Sequence, residues 1–250
     1  MSRWARLLIT VVASLVLSVA FHKSSFASIA TIATPTTTLT QTASPTVSVS
    51  FQPPSMPTQQ AAPSPLAYDA RLIDIRTVNK KIALDIRYAT TNNFFKRKLY
   101  PVGRCVLRGA AAKILSQVQE DLAKRGLGLK VYDCYRPLSV QKQMWEIMPD
   151  PNYVADPAKG SRHNRGAAVD VTLVDRNGKE LEMPSGFDEF TKRAYRDYTG
   201  GSPQALRNRQ LLEDTMKKYG FIPLATEWWH FDAPGWEKFT ILDVPFGAIP

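Results

Sequence analysis

The amino-acid sequence predicts an α+β fold in which a central antiparallel sheet is flanked by helices. Apolar residues recur at helical spacing over residues 108–125 and 202–219, whereas residues 167–174 alternate as a strand does. Strand and helix patterns do not alternate regularly along the chain, which argues against a doubly wound parallel sheet. At 250 residues the chain is long enough for one sizeable hydrophobic core, so a single folded domain is expected.

Two N-terminal segments are expected to lie outside this domain. Residues 1–27 have the pattern of a signal peptide: basic residues, an apolar run over residues 7–20 and a small-x-small cleavage site. The apolar run is shorter than the ~20 residues of a membrane-spanning helix, so cleavage is favoured over an uncleaved anchor. Residues 28–66 are rich in Thr, Ser and Pro and contain no charge, which predicts a disordered linker. The folded domain is therefore expected over residues 67–250.

The first half of the domain predicts strands and two helices. Apolar residues alternate within residues 71–88, which indicates one or two strands. Residues 108–125 predict a helix with one apolar face, and a glycine follows its end. A short strand is predicted over residues 129–134. The next helix is predicted over residues 139–148, with the hydroxyl of Ser139 as its N-terminal cap.

The second half predicts two strands around a third long helix. In the strand over residues 167–174, Asp170 lies on the face opposite the large aliphatic residues, as a ligand at a site would. Residues 175–178 have the composition of a hairpin turn. The helix over residues 202–219 begins with a Ser-Pro pair and is followed by glycine. The last strand is predicted over residues 227–232.

The overall charge and the cysteines say little about chemistry. The net charge of +10 is spread along the sequence, and no basic motif interleaved with aromatic residues predicts nucleic-acid binding. We interpret it as a solvated basic surface. Cys105 and Cys134 have neither the spacing of a metal-binding pair nor the setting of a catalytic nucleophile. One disulfide between them and two buried free thiols are equal alternatives.

Two histidines and one aspartate form the constellation on which the predicted chemistry depends. Of the three histidines, only His163 and His230 lie outside the N-terminal segment. Asp170 follows His163 closely, and a turn at Gly166 between them would let both side chains converge on one ion. Two imidazoles and one carboxylate form the ligand set of a catalytic zinc ion, whose fourth position stays open for water. One zinc ion per chain is therefore expected.

Two further side chains are candidates for catalysis. Glu227, three residues before His230, is placed to act as a general base, with an exposed salt-bridge carboxylate as the alternative. Residues three apart in a regular strand point to opposite faces, so Glu227 must reach the site from the strand entrance or across a bulge. Arg136 follows a predicted strand and is a candidate to stabilise a tetrahedral oxyanion, although an ion pair with Asp133 is the simpler interpretation.

Two motifs give the sequence a family resemblance. They are S-x-H-x-x-G-x-A-x-D over residues 161–170 and E-x-W-H over residues 227–230. Together they resemble the D-alanyl-D-alanine metallopeptidases, and most of all the D-Ala-D-Ala dipeptidases of the vancomycin-resistance type. Residues 85–90, 135–137 and 186–188 fall in the order that the family shows, so the resemblance spans nearly all of the predicted domain. It implies a hedgehog/DD-peptidase-like fold with the zinc site on the sheet.

The resemblance also implies a role for each candidate residue. Glu227 is then the catalytic base acting on zinc-held water, and Arg136 stabilises the transition state. Asp188 receives the free ammonium of the dipeptide, Tyr88 lines the substrate pocket, and Ser161 belongs to the same substrate-binding set. The implied zinc ligands are His163, Asp170 and His230.

The function expected on this basis is zinc-dependent hydrolysis of D-Ala-D-Ala to two D-alanines, in cell-wall peptide turnover or scavenging. The alternatives are a D,D-carboxypeptidase acting on peptidoglycan stem peptides and a non-catalytic, zinc-containing wall-binding module. The expected partners are the small dipeptide or peptidoglycan, without nucleic acid or stable membrane insertion after signal cleavage. The protein is expected to be exported, periplasmic or wall-associated, and membrane-tethered if the N-terminal segment is retained. The sequence does not decide the oligomeric state.

Overall fold

The computed structural model of the chain describes residues 69–250, which form an α+β domain as predicted. The signal segment and the linker predicted for residues 1–27 and 28–66 lie outside the described residues. Within the described part of the chain, no helix combines the length and the apolar character that a membrane span requires.

The elements are short strands and helices of very different lengths. The strands are β1 (Leu72–Asp74), β2 (Ala83–Leu84), β3 (Val106–Arg108), β4 (Gly128–Asp133), β5 (Ala168–Val174), β6 (Ile222–Pro223) and β7 (His230–Asp232). The α-helices are α1 (Ile75–Val78), α2 (Gly109–Ala123), α3 (Leu138–Ile147) and α4 (Pro203–Lys218).

The central sheet has the strand order β2-β4-β5-β7-β6. The pairs β4–β5, β5–β7 and β7–β6 are antiparallel, as predicted, whereas β2 at one edge runs parallel to β4. All seven residues of β5 are buried because α2 and α4 pack on the sheet. Strands β1 and β3 form a separate antiparallel pair.

The register of the central strands aligns polar residues across the sheet. Asp170 on β5 lies opposite Asp133 on β4 and opposite His230 on β7. The β4–β5 register shifts between Val131 and Asp133, and this irregularity places Asp133 beside Asp170. Three polar residues from three adjacent strands therefore lie side by side across the sheet.

Two sequence-based predictions, one about residues 75–78 and one about the start of α3, need correction. Residues 75–78 form the short helix α1 instead of continuing a strand, because the Asp74 side chain accepts a hydrogen bond from the Arg76 N–H and caps this turn. Helix α3 begins at Leu138, so Ser139 is inside its first turn and is not its cap. The N–H of Ser139 instead donates to the carboxylate of Asp243, at 2.8 Å.

The last strand is also shorter than predicted, because it begins at His230 and not at Glu227. Residues 227–229 form a turn in which the Glu227 N–H donates to the Leu224 carbonyl and the Trp228 N–H donates to the Ala194 carbonyl. These bonds replace the ladder bonds of a strand. Trp228 and Trp229 are buried in the core, in agreement with the sequence-based interpretation.

Cys105 and Cys134 form a disulfide, which decides between the two alternatives that the sequence leaves open. Both residues are buried. Cys105 precedes β3 and Cys134 follows β4, so the bond joins the smaller strand pair to the end of the central sheet.

We predict that replacing both cysteines by alanine lowers the free energy of unfolding by about 3–4 kcal/mol. The disulfide closes a loop with a sequence separation of 29 residues, and the loss of that constraint on the unfolded chain accounts for this amount. Guanidinium chloride denaturation measures the change. As a control, a strong reductant should lower the midpoint of the wild-type protein but not that of the Cys105→Ala/Cys134→Ala variant. Equal stability of the wild-type and variant proteins in the absence of reductant would contradict the prediction.

Candidate active site

The three predicted metal ligands come together in the structure. One donor atom from each of His163, Asp170 and His230 lies within 4.8 Å of the other two, and all three residues are buried. The His230 Nδ1 lies 3.0 Å from the Asp170 Oδ1 and 3.2 Å from the His163 Nε2, and the latter lies 3.5 Å from the Asp170 Oδ1. Ligands bonded at zinc distances in a tetrahedron stand about 3.3–3.4 Å apart. The spacing and the donor types therefore fit a zinc ion.

The turn that carries His163 is fixed from both sides. His163–Arg165 form one 3₁₀ turn, and Gly166 ends it with φ of +66°, a left-handed conformation that favours glycine. A Cβ at this position would also lie 2.7 Å from the Leu72 side chain. The Arg108 N–H donates to the Gly166 carbonyl, at 2.8 Å. The chain can therefore pass directly from His163 into β5, as the spacing of the motif predicts.

Each histidine uses its outer nitrogen for a hydrogen bond. The Nδ1 of His163 is 2.7 Å from the Cys134 carbonyl oxygen, and the Nε2 of His230 is 3.0 Å from the Asp232 Oδ1. These contacts turn the Nε2 of His163 and the Nδ1 of His230 towards Asp170. The inward nitrogens are therefore the ones available to bind a metal ion.

Glu227 reaches the cluster from the turn that precedes β7. Its Oε2 lies 4.0 Å from the His230 Nδ1, and its side chain is 25% exposed. Because Glu227 is outside the strand, the geometric difficulty of residues three apart does not arise. Burial raises the pKa of the Glu227 carboxyl above its ordinary value, while the nearby His230 acts in the opposite direction.

Arg136 is held rigidly in the wall of the same site. It donates to Asp133 at 2.6 Å, to Gln141 at 2.8 Å and to the Tyr100 hydroxyl at 3.3 Å. The ion pair with Asp133 is therefore present. These bonds use three of the five guanidinium N–H groups, so two remain available to another acceptor.

The predicted substrate-binding residues also face the cluster. The Tyr88 hydroxyl donates to the Asp188 carboxylate, at 2.9 Å. Asp188 has a left-handed backbone with φ of +58°, which is uncommon outside glycine and often marks a functional position. Burial and the charge of Asp170 raise the pKa of Asp188 well above its ordinary value. The hydroxyl of Ser161 accepts from the His163 N–H at 3.2 Å, so it supports the ligand turn as well.

All eight residues singled out in the sequence line one cavity of about 370 Å³. Sequence reasoning missed an aromatic wall of this cavity. Phe94 and Tyr153 stack with ring centroids 5.8 Å apart, and Phe190 meets Phe94 edge-on at 5.2 Å. These three rings come from separate loops, and no local pattern in the sequence brings them together.

Asp232 is the other residue that sequence reasoning missed. It is two positions after His230 in β7, and alternate residues of a strand share a face. That spacing was the signal that could have identified Asp232 as a neighbour of the predicted ligand.

Comparisons with known proteins agree with this arrangement. A family model described as D-ala-D-ala dipeptidase matches residues 68–245. The chain is 36% identical over 178 residues to the D-alanyl-D-alanine dipeptidase of Escherichia coli (strain K12), covering 71% of this chain and 92% of that protein. It is 31% identical over 168 residues to the D-alanyl-D-alanine dipeptidase of Enterococcus faecium, covering 59% of this chain and 83% of that protein.

Among solved structures, the chain is similar to the LdcB LD-carboxypeptidase, with a TM-score of 0.36 and 22% identity over 58% of this chain and 70% of that chain. The family model matches most of the chain, and the Escherichia coli relative is matched over almost its whole length. The protein therefore belongs to the D-Ala-D-Ala dipeptidase family of peptidases.

Proposed function

We propose that this protein is a zinc-dependent dipeptidase that hydrolyses D-Ala-D-Ala to two D-alanines. The observation that carries the proposal is the shared cavity: the His163, Asp170 and His230 cluster, the candidate base Glu227 and the carboxyl group of Asp188 all line it. The family membership of the chain supports the same activity.

His163, Asp170 and His230 would hold one zinc ion per chain. Two imidazoles and one carboxylate form an open ligand set, which suits catalysis better than the four protein ligands of a structural site. When bound, zinc would polarise the scissile carbonyl and make water more acidic.

The protein's own residues can perform the proton transfers and the charge stabilisation. Glu227 accepts a proton from the attacking water and passes it to the leaving amine, and the raised pKa of its carboxyl suits this exchange near neutral pH. The two N–H groups of Arg136 that have no partner among the described residues can donate to the oxyanion of the tetrahedral intermediate. Because Asp133, Gln141 and Tyr100 hold the guanidinium, little reorganisation is needed during the reaction.

Asp188 selects for a free amino terminus. Its carboxyl group lines the cavity and, within residues 69–250, accepts a hydrogen bond from the Tyr88 hydroxyl alone, so a substrate ammonium would complete its partners. An ammonium also favours the ionised form of a carboxyl whose pKa is raised by burial. A stem peptide has no amine at this position. This favours a dipeptidase over a D,D-carboxypeptidase, and Glu227 and Arg136 together argue against a non-catalytic module.

We further propose that the protein is exported and uses D-Ala-D-Ala derived from the cell wall, with residues 1–27 as the signal peptide and residues 28–66 as a linker to the domain. The pattern of residues 1–27 supports export. The disulfide between Cys105 and Cys134 supports an oxidising compartment, where such bonds persist.

Replacing Glu227 by glutamine should leave zinc bound and lower kcat by about 10²–10⁴-fold, because the amide cannot accept the proton. Release of D-alanine from D-Ala-D-Ala measures the change. The matched control is Glu146→Gln, the same substitution at an exposed position of α3, which should retain full activity. Unchanged turnover in the Glu227→Gln variant would contradict the proposed base.

The zinc assignment predicts a metal content of about one ion per chain after dialysis, measured by atomic emission. Replacing His163 by alanine should remove most of that metal, since it deletes one of only three ligands. The Glu146→Gln variant, altered at an exposed position of α3, should leave the content unchanged. Equal loss in both variants, or none in either, would argue against this ligand set.

Replacing Asp188 by asparagine should lower kcat/KM for free D-Ala-D-Ala by at least about 30-fold, since the charge partner of the ammonium is lost. N-acetyl-D-Ala-D-Ala, which lacks this ammonium, should be a poor substrate of both proteins and should not distinguish them. If the wild-type protein released D-alanine from a stem pentapeptide, it would be a D,D-carboxypeptidase. If it released D-alanine from neither the pentapeptide nor free D-Ala-D-Ala, it would be a binding module.

A further inference from the structure

The two histidines of the candidate metal site have different outer partners. The outer nitrogen of His163 contacts the backbone carbonyl of Cys134 at 2.7 Å, with the carboxylate of Asp133 farther away at 3.7 Å. The outer nitrogen of His230 contacts a carboxylate directly, that of Asp232 at 3.0 Å. A histidine nitrogen that binds a metal ion carries no proton, so the other ring nitrogen of a neutral imidazole carries it. With the Nδ1 of His230 facing Asp170, its Nε2 donates to Asp232.

Asp232 is itself held in place from several directions. It is 3% exposed, and β7 fixes its backbone between Ala168 on β5 and Ile222 on β6. Its Oδ1 faces His230 at 3.0 Å, and its Oδ2 lies 3.1 Å from the Nε of Arg162. One carboxylate therefore joins a candidate metal ligand to a cation.

Arg162 connects this pair to the wall of the cavity. Its guanidinium lies over the ring of Trp236, with its central carbon 4.8 Å from the ring centroid, and its side chain is 40% exposed. Arg162 and Trp236 both line the cavity. The stacking holds the guanidinium beside Asp232, where its charge offsets the cost of burying the carboxylate.

We propose that Asp232 is a positioning residue for the metal ligand His230 and that Arg162 acts on the site through Asp232. By accepting the Nε2 proton, Asp232 fixes the tautomer and the ring orientation of His230 and makes its Nδ1 a stronger donor. The carboxylate of Asp133 lies farther from the outer nitrogen of His163, at 3.7 Å, and is paired with Arg136 at 2.6 Å. We therefore expect His230 to be the stronger donor of the two imidazoles.

Asp232 does not join the ligand set itself. Among the described residues, the group able to hold a metal ion consists of His163, Asp170 and His230. Both oxygens of Asp232 point to other partners, one to the outer nitrogen of His230 and one to Arg162. Its effect on the metal must therefore pass through the imidazole.

This inference rests on the proposed metal site, and its test measures zinc affinity instead of activity. The full-length protein is stripped of metal, and the zinc dissociation constant is measured by competition with a chromophoric chelator at fixed pH. The variants are Asp232→Ala, Asp232→Asn and Arg162→Met. The matched control is Asp121→Asn, which breaks the buried-carboxylate ion pair with Lys218 on the helical side of the domain.

The Asp232→Ala variant should bind zinc about 10- to 100-fold more weakly than the wild-type protein. The Asp232→Asn variant should lose less, because the amide oxygen still accepts the Nε2 proton but carries no charge. Asp121→Asn should bind zinc as the wild type does. The melting temperatures of the metal-free proteins show whether a variant is folded, and only folded variants enter the comparison.

A second readout separates positioning from general destabilisation. In ¹⁵N-histidine spectra of the zinc-loaded wild type, His230 should show a protonated Nε2, and this single tautomer should be lost or exchange-broadened in Asp232→Ala. Arg162→Met should change zinc affinity in the wild-type background and have no further effect in the Asp232→Ala background.

The outcomes separate this inference from the proposed function. If the wild-type protein binds no zinc, the proposed metal site fails. If the wild type binds zinc and Asp232→Ala binds it equally well with an unchanged His230 tautomer, only the positioning role fails. An effect of Arg162→Met that persists without Asp232 would show that Arg162 does not act through this carboxylate.

Discussion

The pairing of β5 with both β4 and β7 is the constraint on which the site depends. Asp170 is buried in the middle strand, and the two registers set Asp133 on one side of it and His230 on the other. Because a shift of one residue would turn every side chain to the opposite face, the apolar residues of β5 fix the position of the carboxylate. The core and the candidate metal site are thus specified by the same hydrogen-bond ladder.

The chain segment from Asp133 to Arg136 ties this ladder to the rest of the cavity. Asp133 forms an ion pair with Arg136. The carbonyl oxygen of Cys134 forms a hydrogen bond with the outer nitrogen of His163, and the side chain of Cys134 forms the disulfide with Cys105. A buried charge pair of this kind adds little net stability, since desolvation offsets attraction. The pair instead fixes orientation. Through these four consecutive residues, the metal-ligand candidate His163, the guanidinium of Arg136 and the disulfide keep fixed positions relative to one another.

Much of this could be predicted from the sequence. The long helices and β5 have clear apolar periods, and glycines after α2 and α4 mark their ends, so the α+β fold is confirmed. The candidate metal ligands could be predicted because the chain contains few histidines. The start of β7 could not be predicted from the sequence. The backbone N–H of Glu227 donates to the Leu224 carbonyl, and this hydrogen bond, which keeps Glu227 in a turn, depends on the fold. The partner of the Ser139 N–H could not be predicted either, because it is the carboxylate of Asp243, more than a hundred residues away.

The brevity of β7, with only three residues, has a consequence for how the protein folds. Strands β4 and β5 are nearer in sequence than β5 and β7, so closing the second pair costs more chain entropy and gains only a few ladder bonds. We therefore expect His230 to join His163 and Asp170 after β4 and β5 have paired, together with β6, which is attached to the sheet through β7. Since metal binding needs all three side chains, its free energy is added to the docking of this last strand. A bound ion would thus tie β7, and with it the edge strand β6, to the middle strand of the central sheet.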